Sequence, residues 1–173
     1  MMNISKIFRK KKYFSQQEDT REANLLSVHK RFDITFSHGK GSYLYAKSGK
    51  YLDFGAGIAV NVLGHCNPSL VKAITKQAKK LWHVSNIYHI SELEKCSKQL
   101  TKAYQKDYAF FCNSGAEAIE CVIKTIRKHF HCQGKSYKNR IITFDGAFHG
   151  RTIATISAAG KKEDYDGFEP LLD

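Results

Sequence analysis

The sequence predicts an α/β fold, and three observations carry that reading. From Ser91 onward, short apolar runs alternate with amphipathic helical segments, the order expected of a parallel sheet with crossover helices. Ahead of them, two aromatic and aliphatic runs flank a Gly-containing turn near residue 50, which marks a hairpin. At 173 residues with 42% hydrophobic content, the chain is also long enough for one domain with a core.

Residues 1 to 22 are polar and aperiodic and read as a basic, mobile leader. The cluster Arg9 to Lys12 is not followed by the apolar stretch of a secretory signal, so the default compartment is the cytoplasm, with a basic organelle presequence as the alternative that the nearby Glu18, Asp19 and Glu22 oppose. In "SYLYAKSGKYLDF", residues 42 to 46 and 51 to 54 flank Lys47-Ser48-Gly49-Lys50 and are expected to pair as a hairpin. "GAGIAVNVLGHCNPSL" mixes flexible and apolar positions, and its Gly55, Gly57 and Gly64 suit a shaped loop. In "SLVKAITKQAKKLWH" the bases Lys72, Lys76, Lys79 and Lys80 alternate with Leu70, Val71, Ile74 and Trp82 at the spacing of an amphipathic helix. A further helix is expected to start at Ser91, where Glu94 follows three residues later as in a capping box. Then come a strand at Tyr108 to Cys112, a helix at Ala116 to Phe130, a strand at Arg140 to Phe144 and the short run "TIATISA".

Composition excludes several classes. No apolar run approaches the roughly 20 residues of a membrane span. The formal charge of +12 suits a polyanion partner or anionic small substrates, and the first is opposed by bases that lie on a solvated helix face with no nucleic-acid-binding motif beside them. Nucleic acid and membrane are therefore not expected partners. The five cysteines are odd in number and form no C-x-x-C pair, so neither a disulfide framework nor a metal site is implied. Cys112, within an apolar run, reads as a small core residue.

Two segments carry chemistry. In "FFCNSGAEAIECVIKTIRK" an apolar run stops at Asn113-Ser114-Gly115, and Ala116, Ile119, Val122, Ile123, Ile126 and Phe130 then share one helical stripe. The start of such a helix offers unpaired N–H groups and a partial positive charge, to which Ser114 adds a hydroxyl and Gly115 close approach, so a phosphate fits. Taken alone, the turn reads as a Ser or Asn cap on an ordinary helix. "TFDGAFHGRTIATISAAG" places an aromatic ring, an imidazole and a guanidinium beside two glycines at a strand's end, where α/β sheets bind ligands. Phe148 has a flat face for a planar heterocycle, and Arg151 a planar fork for a carboxylate. Singly, Phe148 reads as core, Arg151 as a surface ion pair, and His149 as a hydrogen-bonded structural residue.

In this order, "YLDFGAGIAVNVLGH", "HVSNIYH", "FFCNSGAEAIECVIK" and "ITFDGAFHGRTIATISAAG" resemble the acetylornithine aminotransferase group of the class III, fold-type-I pyridoxal phosphate aminotransferases, from about residue 24 to the last. The resemblance implies pyridoxal 5'-phosphate as cofactor, with its phosphate on Ser114, Gly115 and Ala116 and its ring stacked on Phe148. It implies that Arg151 binds the α-carboxylate of the amino-acid substrate, that the Gly57 to His65 segment contributes to the substrate pocket, and that Ser85 and Asn86 lie near a dimer interface. It divides the chain into a small-domain segment at 23 to 75 and, from 76 to 173, the beginning of a large, mostly parallel-sheet domain that binds the cofactor.

The family's cofactor-bearing lysine and its Asp-Glu-Val-Gln type motif have no match here, so no catalytic residue is assigned within the chain. It reads as the front part of such an enzyme and is expected to be inactive alone. Complete, and as a homodimer, the enzyme would transfer the amino group of N-acetylornithine to 2-oxoglutarate in arginine biosynthesis. Ornithine, succinylornithine and succinyldiaminopimelate are alternative donors. The other reading is an inactive fragment that at most binds a ligand or a partner chain.

Overall fold

A computed structural model describes residues 28–29 and 31–172. The expected leader, residues 1 to 22, lies outside the described residues. The chain divides into two units at His83 and Val84. The domain boundary read from the sequence, after residue 75, falls inside a helix of the first unit.

The first unit holds a three-stranded antiparallel sheet in the order β1 (Phe36–Lys40), β2 (Tyr43–Ala46), β3 (Gly49–Leu52). The expected hairpin is β2–β3, with Tyr43 opposite Leu52 and Ala46 opposite Gly49. Its turn is Lys47-Ser48, and Gly49, at φ 138°, already belongs to the ladder. β1 is an addition: "FSHGK" has too little alternation to announce a strand, and its pairing with β2 slips between Phe36 and His38. Gly41, at φ 54°, exchanges both backbone hydrogen bonds with His65 and ties the following loop to the sheet.

That loop contains a single hydrogen-bonded turn, Ala56–Ala59, in which all four residues have φ between 46° and 63°. Left-handed backbone costs an L-residue about 1–2 kcal/mol, so Ala56, Ile58 and Ala59 must be held in place. Asp53 and His65 do the holding. Asp53 Oδ1 accepts from the Ala56 N–H at 2.8 Å, and Asp53 Oδ2 lies 2.7 Å from His65 Nε2. His65 Nδ1 lies 2.8 Å from the Asn61 amide nitrogen, so the Nε2–H tautomer satisfies both ends of the chain. Helix α1 (Pro68–Ala78) follows. Asn67 caps it by accepting from Ser69 N and Leu70 N, and Pro68 stands at the first position, where no N–H is needed.

The second unit holds α2 (Ser91–Tyr104), α3 (Gly115–Cys132), α4 (Ile153–Ala159) and α5 (Lys162–Tyr165). The capping box expected at Ser91 and Glu94 does not form. Ile90 is the cap, Ser91 Oγ donates to Glu92 Oε2, and Glu94 Oε1 pairs with His89. A box appears instead at α4, where the side chains of Thr152 and Thr155 each bond the other's backbone N–H. Thr155, Ile156 and Ala159, all on α4, are the only buried side chains among the described residues.

Residues 108–112 and 140–144, read as strands, have no strand partner among the described residues and remain irregular. The parallel sheet is therefore not formed there. A run of apolar residues marks a segment for burial on both faces, but a ladder also requires a neighbouring strand to bond. Cys112, read as core, is exposed, and its Sγ donates to the Ser114 carbonyl.

Candidate active site

The second unit brings the two chemical segments together. At the start of α3, Ser114 is extended (φ −152°, ψ 162°) and its Oγ accepts from Glu117 N at 3.2 Å. Glu117 turns back to accept from the backbone N–H and the side-chain amide of Asn113. These donors hold its carboxyl below the ordinary carboxylate range, the Asn113 N–H contributing most. The N–H groups of Gly115 and Ala116 belong to the first turn, where no intrahelical acceptor exists, and none of the other described residues accepts from them. A Cβ at Gly115 would meet nothing within 4 Å. Free donors, a helix N-terminus and open space together fit a phosphate-sized anion.

Residues 145–152 wrap α4 and return to α3. Gly150 is the point of contact: at φ 136°, a Cβ there would lie 2.7 Å from Ala116 Cβ and 2.9 Å from Thr155 Oγ1. Only glycine permits that approach. One turn further along α3, Thr152 Oγ1 donates to Glu120 Oε1 at 2.7 Å. At the other end of the wrap, Gly146 N bonds the Ala159 carbonyl, and Gly160, at φ 62°, leaves room for Asp145.

This places Phe148 and Arg151 on the loop that abuts the first turn of α3. The Phe148 ring is 69% exposed and so is not a core residue. The Arg151 guanidinium carbon lies 5.4 Å from its centroid, within cation–π range. Arg151 Nη1 donates to Asp164 Oδ1 at 2.7 Å. His149 keeps a buried Nε2 with no partner among the described residues. Sequence reasoning missed Glu120 and Asp164, which stand 32 and 13 residues from their partners and carry no local signal. Gly150 could have been found, since a glycine between His149 and Arg151 suggests a close backbone approach.

Comparison with known proteins decides the family. The model of the class-III aminotransferases matches residues 26–172. The chain belongs to that family. Its relatives include the acetylornithine aminotransferase of Agrobacterium fabrum, 51% identical over 152 residues, a match covering 87% of this chain and 38% of that protein. That of Clostridium acetobutylicum is 45% identical, with 86% and 38% covered. Among solved structures, the N-acetylornithine aminotransferase of Stenotrophomonas maltophilia superposes with a TM-score of 0.64 at 36% identity, over 77% of this chain and 40% of that one. The ornithine aminotransferase of Toxoplasma gondii gives 0.77 at 25% identity, over 84% and 35%. The class-III chain thus has the architecture of the fold-type-I transaminases, whose family depends on pyridoxal phosphate. It spans less than two fifths of the length of these curated relatives. Among the described residues, no helix is long and apolar enough to cross a membrane, and no group of side chains could hold a metal ion.

Proposed function

We propose that this chain supplies the phosphate-holding and carboxylate-binding part of a cytoplasmic, homodimeric pyridoxal phosphate aminotransferase. The enzyme moves the amino group of N-acetylornithine to 2-oxoglutarate, a step of arginine biosynthesis. The observation that supports the reading is Gly150 seated on Ala116, so that the loop carrying Phe148 and Arg151 abuts the first turn of α3. Ser114, Gly115 and Ala116 hold the phosphate through one hydroxyl and two backbone donors, assisted by the helix dipole. Phe148 offers its exposed ring for stacking, and Arg151 a fork for the substrate carboxylate. When bound, pyridoxal phosphate supplies the carbonyl that takes up the amino group and the ring that draws electrons from the reacting carbon. The names of the relatives favour N-acetylornithine as donor.

The test is co-production of the full chain with the part of the Agrobacterium fabrum enzyme that it does not match. Glutamate formation from N-acetylornithine and 2-oxoglutarate is expected from the pair, lost in Gly150→Val and absent from either piece alone. A pair that assembles and binds pyridoxal phosphate without turnover would overturn the enzymatic reading and leave a binding module.

A further inference from the structure

We propose that Asp164 is a positioning residue for Arg151, pinning one end of its guanidinium so that the opposite edge stands ready for a ligand carboxylate. The proposal rests on the reading of Arg151 as the carboxylate-binding residue and names the group that orients it.

Three observations converge. The bond from Arg151 Nη1 to Asp164 Oδ1 is 2.7 Å long, and the carboxylate is largely shielded, with 17% of its side chain exposed against 71% for Arg151. The acceptor side is thus the fixed one. Asp164 is set in α5, where its own N–H bonds the Lys161 carbonyl and the helix packs on α4, the most buried element. The guanidinium carbon stands 5.4 Å from the Phe148 centroid, so the cation is held from a second direction.

The geometry of the fork does the rest. A guanidinium carries five N–H groups in one plane, and a carboxylate takes two of them along an edge. Nη1 is committed to Asp164, whereas Nε and Nη2 have no acceptor among the described residues. They form the adjacent edge of the plane, and Arg151 turns most of its surface outward. An arginine on a free chain would pay rotamer entropy when a ligand stopped it; one already stopped pays less. Asp164 also brings a negative charge close to the site, which opposes a second carboxylate. An exposed charge interaction is weakened by water, while the loss of orientation on removing the anchor is not. Orientation wins, and removal of the anchor weakens binding.

The prediction concerns Asp164→Ala and the gentler Asp164→Asn, which keeps an oxygen acceptor without the charge. In the co-produced enzyme, Asp164→Ala raises the KM for N-acetylornithine about two- to fivefold and lowers kcat by less, whereas Asp164→Asn stays within about twofold of the native chain. In the assembled pair, with only the 173-residue chain isotope-labelled, the Arg151 Nε–H resonance is sharp, moves on titration with 2-oxoglutarate, and broadens in Asp164→Ala. A KM that is unchanged or lower in Asp164→Ala, or a charge-only effect in which Asn behaves as Ala, would overturn the proposal. If the native pair is inactive, the assignment of activity fails separately, and the Arg151 resonance decides whether Asp164 pins the fork.

Discussion

At the scale of single residues, the Ser-Gly-Ala turn separates two roles that a cap alone would merge. Ser114 caps α3 by accepting from Glu117 N, and in the proposed site its hydroxyl proton is the donor to the phosphate. Gly115 makes no steric demand within the fold, since a Cβ there meets nothing within 4 Å, so its value lies in the space it leaves open. Gly115→Val fills that space with a branched side chain, whereas Ser114→Ala removes one donor among several and about 1 kcal/mol of capping. Pyridoxal phosphate titrations of the co-produced enzyme should therefore show a larger loss of affinity for Gly115→Val. The opposite order would move the phosphate away from this turn. Arg151→Ala, by contrast, should raise the donor KM about ten- to a hundredfold, the worth of a charge-assisted pair of roughly 1.5–3 kcal/mol, while pyridoxal phosphate stays bound. Unchanged donor kinetics would remove Arg151 from the site.

At the scale of elements, the left-handed turn Ala56–Ala59 is maintained against its own preference by the relay from Asp53 through His65 to Asn61. The His65 ring N–H, followed by the Ala56 N–H, holds the Asp53 carboxyl below its ordinary value. A depressed carboxylate contributes stability that is fully present above its unfolded value, near 4, and is lost as pH falls through the lower folded value. The Ala56 and Val60 amide resonances should accordingly keep their native shifts from neutrality down to about pH 5 and move together below about pH 4. In Asp53→Ala they should already be displaced at neutral pH, and native shifts in that variant would show that the turn stands without the relay.

The same elements show what was legible in the sequence. The β2–β3 hairpin, α1, α2 and α3 could be read because turn residues and helical spacing are local signals. The short run "TIATISA" became α4 through a Thr152–Thr155 box, which lacks the Glu or Gln that makes such boxes recognisable. Asp53 and His65, twelve residues apart, had no signal at all. In the site, the segments were visible as strings, but their meeting at Gly150 depends on α4 packing beside α3, which periodicity does not specify.

At the scale of the whole molecule, the described residues bury too little to sustain an independent core. Only Thr155, Ile156 and Ala159 are shielded, while Tyr108, Phe110, Ile142 and Phe144 in the two apolar runs stay open to solvent. Ordering a residue costs about 1–2 kcal/mol of backbone entropy, and a buried apolar side chain returns about 1.5–3 kcal/mol. The three side chains shielded among the described residues do not offset the ordering of α2 to α5, and the expectation is that further chain supplies the cover for residues 108–112 and 140–144. Unpaired apolar segments of this kind also offer their N–H and C=O groups to any strand that meets them. The 173-residue chain on its own should therefore bind a hydrophobic dye, elute from size exclusion as associated species, and melt without a cooperative transition. Co-production with the unmatched part of the Agrobacterium fabrum enzyme should remove dye binding and restore a single transition, because strands of that part would pair with the two apolar runs. A lone chain that is monomeric, silent to the dye and cooperative on heating would show that its apolar runs find cover within itself, and the requirement for further chain would fall.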